Sequence, residues 1–165
     1  MSFQKIIVAI DNSRLCQSVF AQALDLARVY RARLLLLHCI TSDMVGEPVV
    51  PMSPEIGLYP ATLNTAYEST RFTIQQQIDS AQPMLQSYCK TATRYGVPTE
   101  FDYKVGDAGD GLCKIATNWG ADLIVLGRRG RTGLAEVLLG SVSNHVLHHA
   151  PCAVLVIQEA GTTAS

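Results

Sequence analysis

Short apolar runs alternate with amphipathic stretches in the first part of the chain. Lys5–Ile10 and residues 34–39 are nearly continuous apolar runs, the pattern of strands that are buried on both faces of a parallel sheet. Between them, after the polar residues 11–13, apolar residues recur at helical spacing from Val19 to about Tyr30. The pattern predicts a β-α-β unit.

The pattern changes after this unit. Prolines and glycines interrupt any regular period over residues 43–63, which predicts a long loop that is a lid over a site, a partner contact or a plain surface excursion. Residues 64–95 are polar and rich in glutamine, with apolar residues at helical spacing. They predict a long amphipathic helix, in which Pro83 can introduce a kink and which Gly96 ends.

Three further strands are predicted in the second half of the chain. Thr99–Val105 alternates between polar and apolar residues, as an exposed edge strand does, whereas residues 121–126 and Ala153–Ile157 are apolar runs. Helical patterns separate these strands. The alternation predicts a doubly wound parallel sheet with right-handed crossovers, in which ligands bind at the carboxyl ends of the strands, where the order of winding reverses.

Composition and charge narrow the class of protein. A chain of 165 residues with 48% apolar and 16% charged residues predicts one compact domain. The net charge of −1 gives no general attraction to nucleic acid or to an anionic membrane, and no apolar stretch approaches the roughly 18 residues of a membrane span. The five cysteines are scattered without a Cys-x-x-Cys pair, which favours a reducing cytoplasm over a disulfide framework or a zinc ribbon.

A segment rich in glycine and arginine follows the apolar run at residues 121–126, and a second short segment opens the last helical pattern. Together they comprise Gly127, Arg128, Arg129, Gly130, Gly140 and Ser141. Glycines allow positive φ and close approach of the backbone to a ligand, and the first amides of a helix attract anions. We therefore predict a cradle for a nucleotide phosphate, with Asp11 and Gly127 facing the same crevice. The arginines either grip phosphate or are solvated loop residues.

Other nucleotide and hydrolase motifs are missing from the sequence. It contains neither the Gly-x4-Gly-Lys-(Ser/Thr) phosphate loop nor a strand-associated Gly-x-Gly-x-x-Gly, and no nucleophile elbow is visible. The sequence also offers no clear general base for hydrolysis. The pattern favours a nucleotide-binding regulator over an efficient enzyme.

The chain resembles the universal stress proteins, and specifically their ATP-binding branch, over nearly its whole length. The matching features are Asp11 two residues before Ser13, the second apolar run LLLLHCI, the pair Val105-Gly106 and the motif Gly-x2-Gly-x9-Gly-Ser that starts at Gly127. The last motif is specific in this context, whereas the others are weak alone. The resemblance implies an adenine nucleotide alpha hydrolase-like fold, with five parallel strands in the order 3-2-1-4-5 and helices on both faces.

The resemblance also implies the roles of individual residues around ATP, bound with Mg²⁺. Asp11 would contact the ribose hydroxyls, and the backbone of Cys39 would contact the adenine edge. The phosphate path would be lined by Gly127, Gly130, Gly140, Ser141 and Val142. The expected contact set is completed by Ile10, Ser13, Val105, Leu126, Arg128, Arg129 and Ser143.

A nucleotide-dependent regulator or sensor in the stress response is the function that the resemblance implies, with a homodimer formed through Ala153–Ile157. Three alternatives stay open. The first is slow ATP hydrolysis or autophosphorylation on Ser141 or Ser143. The second is an interaction module that uses residues 43–63 and carries a vestigial nucleotide site. The third is a flavodoxin-like electron carrier, although Asp11 and the residues after it fit its phosphate loop poorly.

Two groups of candidate residues have simpler interpretations. Asp11, Asp107 and Asp110 fit as helix caps, and for the last two this is favoured over a role near Mg²⁺. The histidines of the last helix, at positions 145, 148 and 149, have a spacing that can ligate a metal, but no carboxylate or cysteine stands at a matched spacing. His38 is expected in the core, and Cys39 is expected to be an inert buried thiol.

Overall fold

The computed structural model describes residues 2–46, 60–128 and 140–158, in which strands and helices alternate as the sequence predicts. The strands are β1 (Lys5–Ile10), β2 (Arg33–Ile40), β3 (Thr99–Val105), β4 (Leu123–Gly127) and β5 (Ala153–Ile157). The helices are α1 (Cys16–Tyr30), α2 (Ser42–Val45), α3 (Pro60–Arg94), α4 (Ala108–Trp119) and α5 (Ser141–His149).

The strands form one parallel sheet in the order β3-β2-β1-β4-β5, which confirms the expected topology. β1 lies at the centre, where Val8 is opposite Leu36 of β2 and Val125 of β4. β3 and β5 lie at the two edges, as predicted. Because the order of winding reverses between β1 and β4, a ligand site is expected where these two strands end.

Helices cover both faces of the sheet, because alternate residues of each buried strand point to opposite faces. Ile6 and Val8 pack in one core with residues of α1 and α3, whereas Ile7 packs in a second core with residues of α4 and α5. All three side chains are fully buried. Burial on both faces explains why β1 is a continuous apolar run after Lys5. In the part of the chain that the structure describes, no helix has the length and apolar character needed to cross a membrane.

The prediction of a loop over residues 43–63 is wrong at both ends of that range. Ser42–Val45 forms the short helix α2, and α3 begins at Pro60 rather than at residue 64. Proline is tolerated in the first turn of a helix, because the amide that it lacks would have no partner there. Pro60 therefore begins α3, whereas the sequence pattern places it in the loop. The intervening residues 47–59 lie outside the described residues.

Left-handed residues end several helices at the edge of the sheet where the strands begin, here called the amino edge. Gly120 ends α4 with φ 70°, and Gly96 follows α3 with φ 75°. Both are glycines, which adopt this conformation without steric cost. α1 ends instead at Arg31, with φ 54° and ψ 40°, whose N–H donates to the carbonyl of Ala27. A left-handed conformation costs a non-glycine residue about 1–2 kcal/mol, so α1 ends in strained backbone.

The start of β4 is tied to the start of β1 at the same edge. β4 begins at Leu123, later than the predicted residue 121. The carboxylate of Asp122 accepts hydrogen bonds from the backbone N–H groups of Gln4 at 2.8 Å and Lys5 at 2.9 Å. The N–H of Asp122 donates to the carbonyl of Lys5 at 2.8 Å. Asp122 thus fixes β1 against β4 instead of extending the strand.

Candidate functional site

Three of the predicted site residues meet at the opposite edge of the sheet, where the strands end, here called the carboxyl edge. Asp11 follows β1, Cys39 lies near the end of β2 and Gly127 ends β4. β1 is paired with both β2 and β4. The three positions therefore lie side by side at the centre of the sheet, beside the point where the order of winding reverses.

Asp11 holds the turn that leads from β1 into α1. Its Oδ1 accepts a hydrogen bond from the N–H of Ser13 at 2.9 Å and from the Ser13 hydroxyl at 2.6 Å. The N-cap of α1 is Leu15, which has no side-chain cap. The interpretation of Asp11 as the cap of this helix is therefore wrong. A short polar side chain that bonds two residues ahead closes an Asx turn, which keeps the carboxylate at the carboxyl edge.

His38 supports this turn from the neighbouring strand. Its side chain is buried, and Nδ1 lies 2.8 Å from the carbonyl oxygen of Ile10, with which it forms a hydrogen bond. Nδ1 donates in this bond, since a carbonyl oxygen can only accept. The expectation that His38 lies in the core is confirmed, and the structure adds that it fixes the last carbonyl of β1.

Gly127 is required by packing rather than by its backbone conformation. A Cβ atom at this position would lie 2.9 Å from Cδ2 of Leu15 and 3.1 Å from Cγ2 of Val19, both on the α1 side. Neither Gly127 nor Gly140 is among the glycines with positive φ. The positive φ that glycine allows is therefore not used at either of these two positions. The missing side chain lets α1 approach the end of β4 closely.

Arg128 continues from β4 towards the end of β5. Its N–H donates to the carbonyl of Ile157 at 2.8 Å, and its Nη1 donates to Oε1 of Gln158 at 3.2 Å. These bonds place the guanidinium group beside the last residues of β5. Arg129, Gly130 and the further arginine at position 131 lie outside the described residues.

The N-terminus of α5 begins at the predicted Gly-Ser pair. Gly140 is the N-cap, with φ −55° and ψ 156°. Ser141 is exposed and Val142 is half-buried, whereas Ser143 is buried. The Ser143 hydroxyl donates to the carbonyl of Gly140 at 3.0 Å. Ser141 therefore presents a hydroxyl to solvent, and Ser143 does not. The first amides of α5 have no partner within the helix, which makes them donors for an anion.

The end of β3 lies farther from the centre of the site. Val105 is exposed on this edge strand, which β2 separates from β1. The N–H of Gly106 donates to the carbonyl of Ile40 at 2.9 Å. Asp107 is the N-cap of α4 and accepts a hydrogen bond from the N–H of Asp110 at 2.8 Å, which confirms the capping interpretation for Asp107. The structure thus places Val105 apart from Asp11 and Gly127.

The thiol of Cys39 is not reactive in this environment. Burial, with the nearby carboxylate of Asp107, raises the pKa of Cys39 to about 11. Its Sγ lies 3.9 Å from the carbonyl of Ala108, to which it donates. The thiol therefore stays protonated at neutral pH, as expected for an inert cysteine, because the thiolate is the reactive form.

A cavity of about 290 Å³ adjoins the Asp11 turn. It is lined by residues 11–14, by Cys16 at the start of α1, and by Met84 and Tyr88 of α3. Burial raises the pKa of the Cys16 thiol, and burial and the neighbouring Cys16 raise the pKa of Tyr88 to about 12. Both groups therefore stay protonated at neutral pH and offer hydrogen-bond donors rather than charges.

Sequence reasoning missed the contribution of α3 to this cavity and the support from His38. Met84 and Tyr88 stand in a long amphipathic pattern, where apolar and aromatic residues indicate packing. Nothing in their spacing connects them with Asp11, because the contact depends on how α3 lies beside α1. His38 carried a clearer signal, since a polar residue inside an apolar strand must find a hydrogen-bond partner.

The histidines of α5 are close together but are held by contacts within the helix. The rings of His145 and His149 stack with centroids 4.3 Å apart. Nδ1 of His149 lies 2.9 Å from the carbonyl oxygen of His145. Across residues 2–46, 60–128 and 140–158, no cluster of at least three His, Cys, Asp or Glu residues is arranged to hold a metal ion.

Comparisons with known proteins agree on one family. Residues 2–158 match the family model described as the universal stress protein family. The universal stress protein Sll1388 of Synechocystis is 38% identical over 162 residues, which cover 96% of this chain and 99% of that protein.

Solved structures share the fold. The hypothetical protein MJ0577 superposes with a TM-score of 0.77 at 21% identity, over 98% of this chain and 100% of that one. A universal stress protein family protein from Arabidopsis thaliana, solved with AMP bound, has a TM-score of 0.58 at 22% identity, over 96% of this chain and 93% of that one. The match of residues 2–158 to the family model and the 38% identity to Sll1388 show that the chain belongs to the universal stress protein family.

Proposed function

We propose that this protein binds ATP, together with Mg²⁺, at the carboxyl edge of its sheet, and that it acts as a nucleotide-dependent regulator in a cytoplasmic stress response. One observation carries the proposal: a carboxylate at the end of β1, a side-chain-free position at the end of β4 and the N-terminus of α5 are grouped beside the reversal of winding. Doubly wound folds bind nucleotides at this place.

Asp11 is suited to hold a ribose. Its Oδ1 is occupied by Ser13, which fixes the orientation of the carboxylate. A carboxylate held in this way can accept hydrogen bonds from two sugar hydroxyls, and such charge-assisted bonds are stronger than neutral ones. Because the Ser13 hydroxyl donates to Asp11, the Ser13 oxygen keeps acceptor capacity towards a ligand.

The phosphates would lie against the N-terminus of α5. The first amides of this helix can donate to phosphate oxygens, and the helix dipole favours negative charge there. Ser141 adds an exposed hydroxyl. The bond between Arg128 and Gln158 holds one cation beside the last residues of β5. These groups supply charge and donors without a dedicated phosphate loop.

The adenine would lie at the end of β2. The Cys39 side chain points to the α4 side, where its thiol contacts the carbonyl of Ala108. Recognition by this residue therefore uses backbone groups, which suits the edge of a planar base. Such contacts would recognise the edge of adenine and would not depend on the chemistry of the thiol.

Mg²⁺ would reach the site with the nucleotide. Asp107 is used as a helix cap, and Asp110 forms an ion pair with Lys114 at 2.7 Å. Since these carboxylates have protein partners, the phosphate oxygens themselves would provide most of the ligands. This is usual for Mg²⁺, which binds through few protein groups and keeps several waters.

Both a family relative and the free thiols support the proposal. The Arabidopsis relative with bound AMP has the same fold and carries an adenine nucleotide. All five cysteines of the present chain are free, which suits a reducing cytoplasm. The proposal for this chain extends from AMP to ATP because the α5 N-terminus and Arg128 provide for additional phosphate charge.

We include a homodimer formed through β5 in the proposal. β5 is an edge strand, and Val154 to Ile157 are only half-buried. An apolar edge strand is a template for pairing with another chain, and a two-fold axis would join two such edges. Light scattering should give the mass of two chains at micromolar concentration, and a mass of one chain would contradict this part.

Slow autophosphorylation is the second candidate, and the structure favours one of the two serines considered. Ser141 is exposed at the α5 N-terminus, close to where the phosphates would lie, whereas Ser143 is buried with its hydroxyl bonded to Gly140. Phosphate transfer should therefore occur on Ser141. Incubation with labelled ATP followed by mass spectrometry tests this, with Ser141→Ala as the variant expected to lose the label.

Calorimetric titration with ATP and Mg²⁺ tests the main proposal. The informative variant is Asp11→Asn, which keeps an Oδ1 acceptor for Ser13 but removes the charge offered to the ribose. We expect saturable binding to the wild type and a loss of at least about tenfold in affinity for Asp11→Asn, the size of a charge-assisted hydrogen bond.

Asp25→Asn is the matched control, because it makes the same change of charge at an exposed position of α1. It should bind ATP like the wild type. If nucleotide-free wild-type protein does not bind ATP, or if both variants lose affinity equally, the nucleotide site is not where we propose it. Parallel titrations with AMP measure how much the additional phosphates contribute.

A further inference from the structure

We propose that an open cavity at the amino edge, opposite the nucleotide site, docks an acidic peptide segment of a partner protein that carries an aromatic anchor. The cavity has a volume of about 780 Å³. It lies between the last turn of α1, the residues that follow α3 and the residues before β2 and β3. This volume is within the usual range of about 300–1,000 Å³ for ligand sites. The proposal does not depend on nucleotide binding.

The floor of the cavity is apolar. It is formed by Ala27, Ala32, Val97 and Pro98. Three of these side chains are buried in the core of the α1 and α3 face, namely Ala27, Ala32 and Val97. Because these three side chains are almost completely buried, they form a rigid base, and the apolar surface that a partner side chain can contact is that of the exposed rim residues Val29 and Tyr95.

A preorganised arginine forms one wall. The Arg28 guanidinium lies over the ring of Tyr95, 5.0 Å from its centroid. Asp25 approaches Arg28 at 3.8 Å, with both side chains more than half exposed. Stacking on an aromatic ring fixes the plane of the guanidinium group while its N–H edge stays available for a carboxylate. Arginine binds carboxylates in this way with two parallel hydrogen bonds.

Arg31 contributes a second cation from a position where its backbone is strained. Among the described residues it is the one non-glycine residue with positive φ. The equivalent positions after α3 and α4 are Gly96 and Gly120. Glycine at position 31 would also adopt this left-handed cap conformation with less strain than arginine does. Arg31 is one of the residues that line the cavity, and a role of its side chain there accounts for its presence.

The arginines are not needed to satisfy the ends of the two helices. The carbonyl of Ala27 accepts the N–H groups of Arg31 and Ala32, and the carbonyl of Ala92 accepts the N–H of Val97 at 3.0 Å. Backbone groups thus cap these carbonyls. The guanidinium groups are therefore not used as helix caps, and an acidic ligand at Arg28 would compete with Asp25, which lies 3.8 Å away.

Charge and composition indicate the occupant. Arg28 and Arg31 outnumber the one carboxylate that lines the cavity, Asp25, in a chain whose net charge is −1. Two large apolar side chains at the rim are strongly exposed, Val29 at 76% and Tyr95 at 56%. Tyrosine and arginine are, with tryptophan, the residues that are enriched among those dominating the energy of protein interfaces. An open cationic groove with exposed apolar walls therefore fits an acidic segment with an aromatic anchor.

Fluorescence anisotropy with a defined probe tests the proposal. The probe is a fluorescein-labelled peptide of alternating Glu and Asp residues around one central Phe. We expect saturable binding that weakens with salt, and no binding of the same peptide with Lys in place of the acidic residues. Arg31→Gly should reduce the affinity at least about tenfold. Because glycine suits the left-handed position, this variant should fold at least as well as the wild type.

Two further variants separate docking from a general charge effect. Arg71→Ala removes an exposed positive charge on α3, away from the cavity, and should bind the probe like the wild type. Asp25→Asn removes the carboxylate that competes for Arg28 and should bind more tightly. Failure of the wild type to bind the acidic probe, or equal losses in Arg31→Gly and Arg71→Ala, would overturn the proposal. Dimerisation that Arg31→Gly abolishes without any probe binding would overturn it in favour of a second copy as the occupant.

Discussion

The two edges of the sheet use their polar groups in opposite ways. At the amino edge, backbone groups are satisfied within the protein: Asp122 accepts the N–H groups of Gln4 and Lys5, and left-handed residues cap α1 and α4. At the carboxyl edge, Asp107 caps α4, but α5 starts without a side-chain cap. The docking that we propose at the amino edge would therefore use side chains, whereas the nucleotide site that we propose at the carboxyl edge would use the first backbone amides of α5.

This difference predicts at which edge substitutions should destabilise the protein more. At the carboxyl edge, the loops depend on buried supports beneath them, such as His38 and Gly127. At the amino edge, the supports are surface hydrogen bonds and helix caps. Substitutions under the carboxyl edge should therefore cost more stability than substitutions at the amino edge.

The largest loss is expected for His38→Ala, beneath the carboxyl edge. The change leaves a cavity in the core and removes the hydrogen bond to the carbonyl of Ile10. We expect the free energy of unfolding to fall by about 2–4 kcal/mol, measured by urea denaturation. His149→Ala, at an exposed position of α5, should change it by less than about 0.5 kcal/mol. Equal effects of the two substitutions would contradict the conclusion that buried supports beneath the carboxyl edge contribute the most stability.

Gly127→Val should have the next largest effect. The added side chain would press on Leu15 and Val19 of α1, and overpacking of this kind costs about 1–3 kcal/mol. Thermal unfolding compares it with Gly140→Ala, in which the new Cβ would lie 3.7 Å from Oγ of Ser143, an ordinary contact. If Gly127→Val is as stable as Gly140→Ala, then α1 does not pack against β4 as described.

Asp122→Ala measures the hydrogen bonds of the amino edge. Two backbone N–H groups of residues 4 and 5 lose their acceptor but remain partly open to water, so we expect a loss of about 1–2 kcal/mol. The control is Asp25→Ala, whose exposed ion pair with Arg28 contributes less than about 1 kcal/mol. A loss for Asp122→Ala larger than that of His38→Ala would reverse the ranking of the two edges.

Arg31→Gly is the smallest of these changes and has the opposite sign. Glycine relieves the left-handed strain but gains entropy in the unfolded chain, so a net stabilisation of about 0.5–1 kcal/mol is expected. Urea denaturation checks this value. Destabilisation would show that the Arg31 side chain contributes to packing at the amino edge, which would also weaken the case for its role in docking.

The strands were the most predictable part of the fold. Lys5–Ile10, Thr99–Val105 and Ala153–Ile157 match the structure at both ends, because the apolar pattern reflects burial directly. The start of α3 was missed, because Pro60 is compatible with both a loop and a first helical turn. The start of β4 was missed, because the role of Asp122 depends on residues 4 and 5, which are far away in the sequence.

For the candidate site, sequence reasoning located positions better than it explained them. The alternation of strands and helices was enough to bring Asp11 and Gly127 to one edge. The reason for glycine at position 127 is the approach of Leu15, which only the packed structure reveals. The contribution of Met84 and Tyr88 to the cavity likewise depends on the position of α3.

The central position of β1 has a consequence for folding during synthesis. β1 pairs on one side with β2, which follows it closely, but its other partner is β4, which begins at Leu123. Until the ribosome has delivered that strand, the central strand of the sheet, whose side chains from Ile6 to Val8 are fully buried, has one open edge. Chains are made at about 5–20 residues per second, so this edge stays unpaired for several seconds. Growing chains of this protein should therefore be most prone to aggregate, and most dependent on chaperones, before β4 emerges.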